Sequence, residues 1–177
     1  MILFISEIFL LTLYKYKKSS LMKEVELYLI DKGENCTVYT LQFLRDSDNE
    51  FEKFVSKFIN SEDYSEDYTR IAALIQRIYS TGAQERLFRP EGKMSDSVYA
   101  LPTMGSKLRL YCLRLSDKIL ILGNGGVKKT QKYDDDPELK GYVMTLQKFE
   151  SLLKQGIEDG TVVISESEIE TDNIFKL

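Results

Sequence analysis

Between residues 23 and 44, apolar and polar positions alternate with a period of two: Val25, Leu27 and Leu29 against Glu24, Glu26 and Tyr28. That period puts alternate side chains on opposite faces of a strand. DKGEN then supplies turn chemistry, and TVYTLQFL resumes a β-branched and aromatic run, so the segment predicts a β-hairpin. The period next becomes helical. Ser47 and Glu50 have capping-box spacing, and Phe51, Phe54, Val55, Phe58 and Ile59 fall on one helical face. Tyr68, Ile71, Ala72, Ile75, Ile78 and Tyr79 form a second stripe ending near Gly82. Aromatic residues at helical spacing read as core rather than as a ligand platform.

A loop, RLFRPEGKMSD, leads to the strand SVYALP, then to LRLYCLRL and KILILG joined at Ser116-Asp117. The run Ile119 to Leu122 is apolar on both faces and predicts a central strand. Asp136 before Pro137 reads as an N-cap and first helical residue. Leu139, Val143, Leu146, Phe149, Leu153 and Ile157 mark a long amphipathic helix, with Glu150 outside its stripe and Asp159-Gly160 closing it. After that come a short strand, TVVIS, and an acidic end.

These elements predict one domain over 22–160 and an acidic tail over 161–177. The chain has 177 residues and is 43% hydrophobic, enough for one core that buries roughly 70% of the unfolded surface. Residues 1–21 stand apart. MILFISEIFLLTL is short for a bilayer span and is interrupted by Glu7, and its lysines follow the apolar run instead of preceding it. Met22 opens a typical soluble sequence, so 1–21 is expected to be an extension or a start-codon artefact, a short membrane-surface helix or an added packing helix being the alternatives. Cys36 and Cys112 lack metal-ligand spacing and read as buried free thiols of a reducing compartment.

Charge changes the picture more than composition does. The net charge is −4, but Arg86–Tyr133 holds ten Lys and Arg against three acids, a local +7, whereas the remainder holds 14 against 25. Such segregation points to an anionic partner, nucleic-acid phosphate first. The chain has no histidine, which excludes imidazole as base, nucleophile orienter or metal ligand. Strand parity puts Lys107, Arg109 and Tyr111 on one face and Leu108, Leu110 and Cys112 on the other, with Arg114 opposite Arg109. The turn at 116–117 brings Lys128 and Lys129 back toward Lys107 and Arg109, making one basic rim; an exposed strand face or a salt bridge is the plainer account of those cations. GNGGVKKT lacks the glycine that a P-loop needs before its lysine, so the glycines read as shaping a strand end. Asp134, Asp135 and Asp136 read as helix capping rather than as a cation site.

The segment VYALPTMGSKLRLYCLRLSDKILILGNGGVKKTQKY resembles the C-terminal half of the RelE/HigB-like toxin family. An arginine-bearing strand, a two-residue turn, a hydrophobic strand and a KKTQK ending follow in that family's order, with two helices upstream; the resemblance covers about residues 50–150. It implies an α+β fold: a small RelE-like antiparallel sheet packed against two helices, here with an N-terminal hairpin and a long C-terminal helix. It implies metal-independent cleavage of messenger RNA in the ribosomal decoding site, by attack of a ribose 2′-hydroxyl on the adjacent phosphate. Arg109 would contact the scissile phosphate, Lys128 and Lys129 match the basic ending, and Tyr133 is the late aromatic near the reacting nucleotide. Arg86, Arg89, Lys107, Tyr111 and Lys132 would bind RNA around them. No cofactor or metal is expected. The expected partners are the ribosome or mRNA and a cognate antitoxin, in the cytoplasm, with no membrane involved for 22–177.

The chain departs from the family in its acidic balance and in the strand before the arginine strand, which offers only Tyr99 where some members carry catalytic acids or bases. A catalytically silent module that binds RNA or a partner protein is therefore the alternative, and a phosphate-ligand enzyme using GNGG is more remote. Glu166, Glu168, Glu170 and Asp172 are expected either to fold over the basic rim as an RNA mimic or to remain a solvated tail.

Overall fold

A computed structural model describes residues 22–91, 96–102, 105–130 and 132–177. Lys93 of the basic window, Gln131 of the KKTQK ending and the leading segment 1–21 lie outside the described residues. The described chain is α+β, with a mostly antiparallel seven-stranded sheet, three helices and a separate two-stranded ribbon.

β1 (Glu24–Lys32) and β2 (Thr37–Phe43) form the expected hairpin. Two helices follow, α1 (Glu50–Phe58) and α2 (Ser65–Thr81). The chain returns to the sheet as β3 (Arg89–Pro90), β4 (Val98–Leu101), β5 (Leu108–Arg114) and β6 (Ile119–Val127). Helix α3 (Pro137–Glu158) comes next, then the ribbon β7 (Val163–Ile164) and β8 (Ile169–Glu170), and finally β9 (Phe175–Lys176). The sheet order is β3-β4-β5-β6-β2-β1-β9. The β2–β6 pair is parallel and all other neighbours are antiparallel, so the sheet is not purely antiparallel as expected. β6 lies centrally and Ile119–Leu122 are all buried, which is why that run is apolar on both faces.

Each face of the sheet has its own core. On one face, Val38, Leu108, Leu110, Cys112, Leu120 and Leu122 pack under Phe54, Phe58, Ile71, Ile75 and Ile78 of α1 and α2. On the other, Tyr39, Leu41, Tyr111, Leu113 and Ile121 pack under Leu139, Val143, Leu146, Phe149 and Leu153 of α3. Each fully buried Leu or Ile contributes roughly 1.5–3 kcal/mol. The sheet is therefore covered on both faces, by two helices on one and by the third on the other.

Several boundaries differ from expectation for local reasons. The α1 capping box is Asn49 with Glu52, not Ser47 with Glu50: Asn49 Oδ1 accepts from Glu52 N–H at 2.8 Å, and Glu52 Oε2 accepts from Asn49 N–H at 2.9 Å. Glu50 is instead buried and turned toward Asn124. Ile59 and Ile157, assigned to apolar stripes, are exposed, each lying at or near the end of its helix. Glu150, placed outside the α3 stripe, is 3% exposed, because its carboxylate accepts from the Ser97 hydroxyl at 2.8 Å and pairs with Lys154 at 2.7 Å. Asp136 caps α3 as expected, accepting from Glu138 and Leu139 N–H. Gly160 closes that helix at φ 77°.

The C-terminal segment is built into the domain. Val162, Ile169 and Phe175 are buried in the α3-side core, and β9 extends the sheet beside β1. Glu166 pairs with Lys118 and Glu168 with Lys32. Lys118 lies at the β5–β6 turn, the end of that hairpin opposite the basic rim, so these two acids do not cover the rim. Cys36 and Cys112 are buried free thiols. Their thiols are pushed up by burial, Cys36 to about 11. No helix among the described residues is long and apolar enough to cross a membrane.

Candidate active site

Strand parity holds through β5. Leu108, Leu110 and Cys112 face α1 and α2, and Tyr111 faces α3. Arg114 turns away from Arg109: its Nε donates to Ala83 O at 2.6 Å and its Nη2 to Asp117.

The GNGG run lies inside β6, not in a loop after it. Leu110 pairs with Gly125 while Cys112 pairs with Leu122, so β6 carries one extra residue opposite Tyr111, a β-bulge. A Cβ on Gly125 would lie 1.9 Å from Arg109 O, so only glycine fits there. Asn124 fixes the bulge by accepting from Gly125 N–H at 2.8 Å and donating to Glu50 at 3.1 Å. The glycines thus serve backbone pairing and form no phosphate cradle.

Past the bulge, Arg109 pairs with Gly126, and Lys128 N–H donates to Lys107 O at 2.7 Å. The strand end returns beside the strand start, as expected. The other edge arrives through β3, an element hidden in the predicted loop. Arg89 pairs with Ala100, which pairs with Tyr111, so Arg89, Ala100 and Tyr111 form one row across the sheet. Glu91 follows, its N–H bonded to Val98 O at 3.0 Å. Its side chain is only 9% exposed, and its carboxylate lies 3.4 Å from Arg89 Nε. Burial raises the Glu91 carboxyl above the ordinary range, although Arg89, Lys128 and Arg109 all oppose that shift.

Arg109, Lys128, Arg89, Tyr111 and Tyr133 are therefore gathered around a carboxyl that no sequence motif announced. Lys128 is held below the ordinary lysine range by burial, then by Arg89, against the pull of Glu91. Tyr133 packs edge-on against Tyr111 with ring centroids 6.5 Å apart. Its hydroxyl is raised by burial, then by Asp134, Glu91 and Asp96, so it stays protonated and able to donate. Arg109 is 5% exposed, with one terminal nitrogen donating to Leu108 O at 2.9 Å and to Ser106 O. Two buried polar atoms in this cluster have no hydrogen-bond partner among the described residues: Arg109 Nε and the Tyr111 hydroxyl. Such atoms are costly unless something fills the site.

The remaining expected residues are dispersed. Tyr111 is fully buried, which corrects its assignment as a surface RNA contact: a base has no access to its ring. Lys107 precedes β5 and lines a groove of about 850 Å³ with Glu62, Asp63, Glu66 and Asp67, so it sits among acids rather than among the rim cations. That acidic lining disfavours phosphate there. Arg86 is exposed and bonds Gln84 at 3.0 Å. Lys129 and Lys132 are exposed flanks, and the charge of Lys129 acts on Glu138. Tyr99, the lone polar residue expected on the preceding strand, packs on Phe88 in the core beneath α1 and α2. The missed residue is Glu91. Its signal was slight: an acid two positions after an arginine, in a loop read as lacking strands.

No group of three His, Cys, Asp or Glu able to hold a metal ion occurs among the described residues. Comparison with protein-family models, with curated proteins and with solved structures gives no match.

Proposed function

We propose that the chain is a RelE/HigB-like endoribonuclease that cleaves messenger RNA on the ribosome. The observation that carries this reading is the convergence of Arg89, Arg109 and Lys128 on the largely shielded Glu91 carboxyl, with Tyr133 alongside and two buried polar atoms without a partner among the described residues. Three cations act on the Glu91 carboxyl, a setting that suits a phosphate more than a neutral ligand. The arginine strand, two-residue turn, hydrophobic strand, basic ending and two upstream helices are the elements on which the resemblance rests.

The chemistry follows from the groups present. Glu91, its carboxyl raised above the ordinary range by burial, takes the proton of the ribose 2′-hydroxyl. The 2′-oxygen forms a bond to phosphorus and the bond to the 5′-oxygen breaks, leaving a 2′,3′-cyclic phosphate. Arg109 and Arg89 offset the charge that accumulates on the phosphoryl oxygens. Lys128, held below the ordinary lysine range by burial and then by Arg89, gives a proton to the departing 5′-oxygen. Tyr133 stacks on or bonds the reacting nucleotide. On this reading the protein works in the cytoplasm under the control of a cognate antitoxin.

The second reading, a silent RNA- or protein-binding module, is favoured by the depth of Arg109. Induced expression of the full chain separates the two. The catalytic reading expects growth arrest and mRNA cleavage that Glu91→Gln and Arg109→Ala abolish. RNA binding without arrest or cleavage by the intact chain overturns it.

A further inference from the structure

We infer that Asp67, on the opposite side of the sheet from Glu91, is a positioning residue that sets the Arg109 guanidinium through the turn at 105–108. The inference rests on the reading of Arg109 as a phosphate contact. Asp67 lies in the first turn of α2, some forty residues before the arginine it governs. One carboxylate oxygen accepts from Lys107 N–H at 2.9 Å and from Leu108 N–H at 3.2 Å. The Ser106 hydroxyl is a further partner of the carboxylate, and Arg70, one turn along α2, donates to Gly105 O. Helix α2 therefore grips all four residues of the turn.

That turn supplies the surface on which Arg109 rests. Ser106 O and Leu108 O both accept from the same terminal nitrogen of Arg109. Among the described residues, no carboxylate hydrogen-bonds this guanidinium. Its orientation is held by two backbone carbonyls, and Asp67 and Arg70 hold the backbone that carries them. The N–H bonds and the Ser106 hydroxyl also keep the Asp67 carboxyl below the ordinary range, outweighing the upward push of burial. The acceptor is thus ionised near neutral pH, when it binds those donors most strongly.

The geometry sorts the substitutions. Asp67→Asn keeps a carbonyl oxygen that can accept from the turn, whereas Asp67→Ala removes the acceptor and leaves Lys107 and Leu108 N–H without it. The neighbouring Glu66 makes no hydrogen bond to the described residues of the turn and serves as the control. With cleavage of a defined mRNA as readout, Asp67→Ala is expected to lower kcat about 10- to 100-fold, the scale of a small misplacement of a reacting group. KM is expected to change less than threefold. Asp67→Asn should recover most of the loss, and Glu66→Ala should match the wild type.

A second measurement does not depend on cleavage. In the full chain with isotope-labelled arginine, NMR should show a single ordered Arg109 guanidinium in the wild type and in Asp67→Asn, and a rotating one in Asp67→Ala. Thermal unfolding of each variant separates this from loss of fold. An Arg109 signal equally ordered in folded Asp67→Ala overturns the inference, even if the wild type cleaves RNA. Disorder of Arg109 in Asp67→Ala, with no cleavage by any variant, upholds the positioning and removes the catalytic reading instead.

Discussion

Arg109 and Arg114 lie on the same strand and face opposite sides of the sheet. Arg114 is closed: Nε is bonded to Ala83 O, Nη2 is paired with Asp117, and Asp117 O in turn accepts from Ala83 N–H at 2.6 Å. That arginine latches the end of α2 to the β5–β6 turn. Arg109 is open: its Nε has no partner among the described residues, Arg89 and Lys128 share its surroundings, and the Glu91 carboxyl beside it is raised by burial. Counted in the sequence, the two arginines contribute equally to the basic window. Their difference lies in whether the fold completes their hydrogen bonds, and an incomplete buried cation is the one that marks a site.

The comparison breaks most sharply on substitution. Arg109→Ala should lower kcat/KM for mRNA cleavage by 100-fold or more, about 3 kcal/mol of transition-state stabilisation, with a smaller change in unfolding free energy than Arg114→Ala. The latch variant should do the reverse. Arg114→Ala should cost about 1.5–3 kcal/mol of stability, the scale of a hydrogen bond to a charged group, and leave kcat within a few-fold. Chemical denaturation and single-turnover cleavage of both variants test the pair. Equal losses of activity in the two would erase the distinction.

Glu91 sharpens it further through pH. Its folded carboxyl is raised, so the unfolded chain ionises first as pH rises. The stability linked to it is fully present below the ordinary carboxylate range and is lost as pH rises through the raised folded value. Glu91→Gln lacks this loss, so its stability advantage over the wild type should grow across that window and then level off. The acid limb of the wild-type rate profile should lie above the ordinary carboxylate range, because the base must be ionised to act. A gap that does not vary with pH would contradict the buried state of this carboxyl. The smallest effect belongs to the far end of the hairpin. Glu166→Gln breaks an exposed pair with Lys118, and melting temperature and cleavage should both stay within error of wild type.

Much of this was legible in the chain. Parity in LRLYC separated Arg109 and Tyr111 from Leu108 and Leu110, and the turn at 116–117 returned Lys128 to the rim. The two helical stripes found their core positions because period 3.6 records which face is buried. What was not legible depended on distant partners. The Glu91 side chain is 9% exposed where β3, a two-residue strand in a proline-containing loop, pairs with β4. Glu150 is buried because Ser97, 53 positions away, supplies its donors. The parallel β2–β6 pairing joins segments with no local signal in common. Glu50, paired with Ser47 by spacing alone, instead bonds Asn124, 74 positions along, while Asn49 caps the helix. In each case the deciding contact was long-range, beyond any period or motif.

The rim around Arg109 and Glu91 is proposed to cut RNA. Its most direct test is to add purified full-length protein to ribosomes translating a defined mRNA and to map the RNA ends. Cleavage at this rim should give new 5′-hydroxyl and 2′,3′-cyclic phosphate ends with the wild type and with Arg114→Ala, and none with Arg109→Ala. Intact mRNA with the wild type, or equal cleavage by Arg109→Ala, would contradict it.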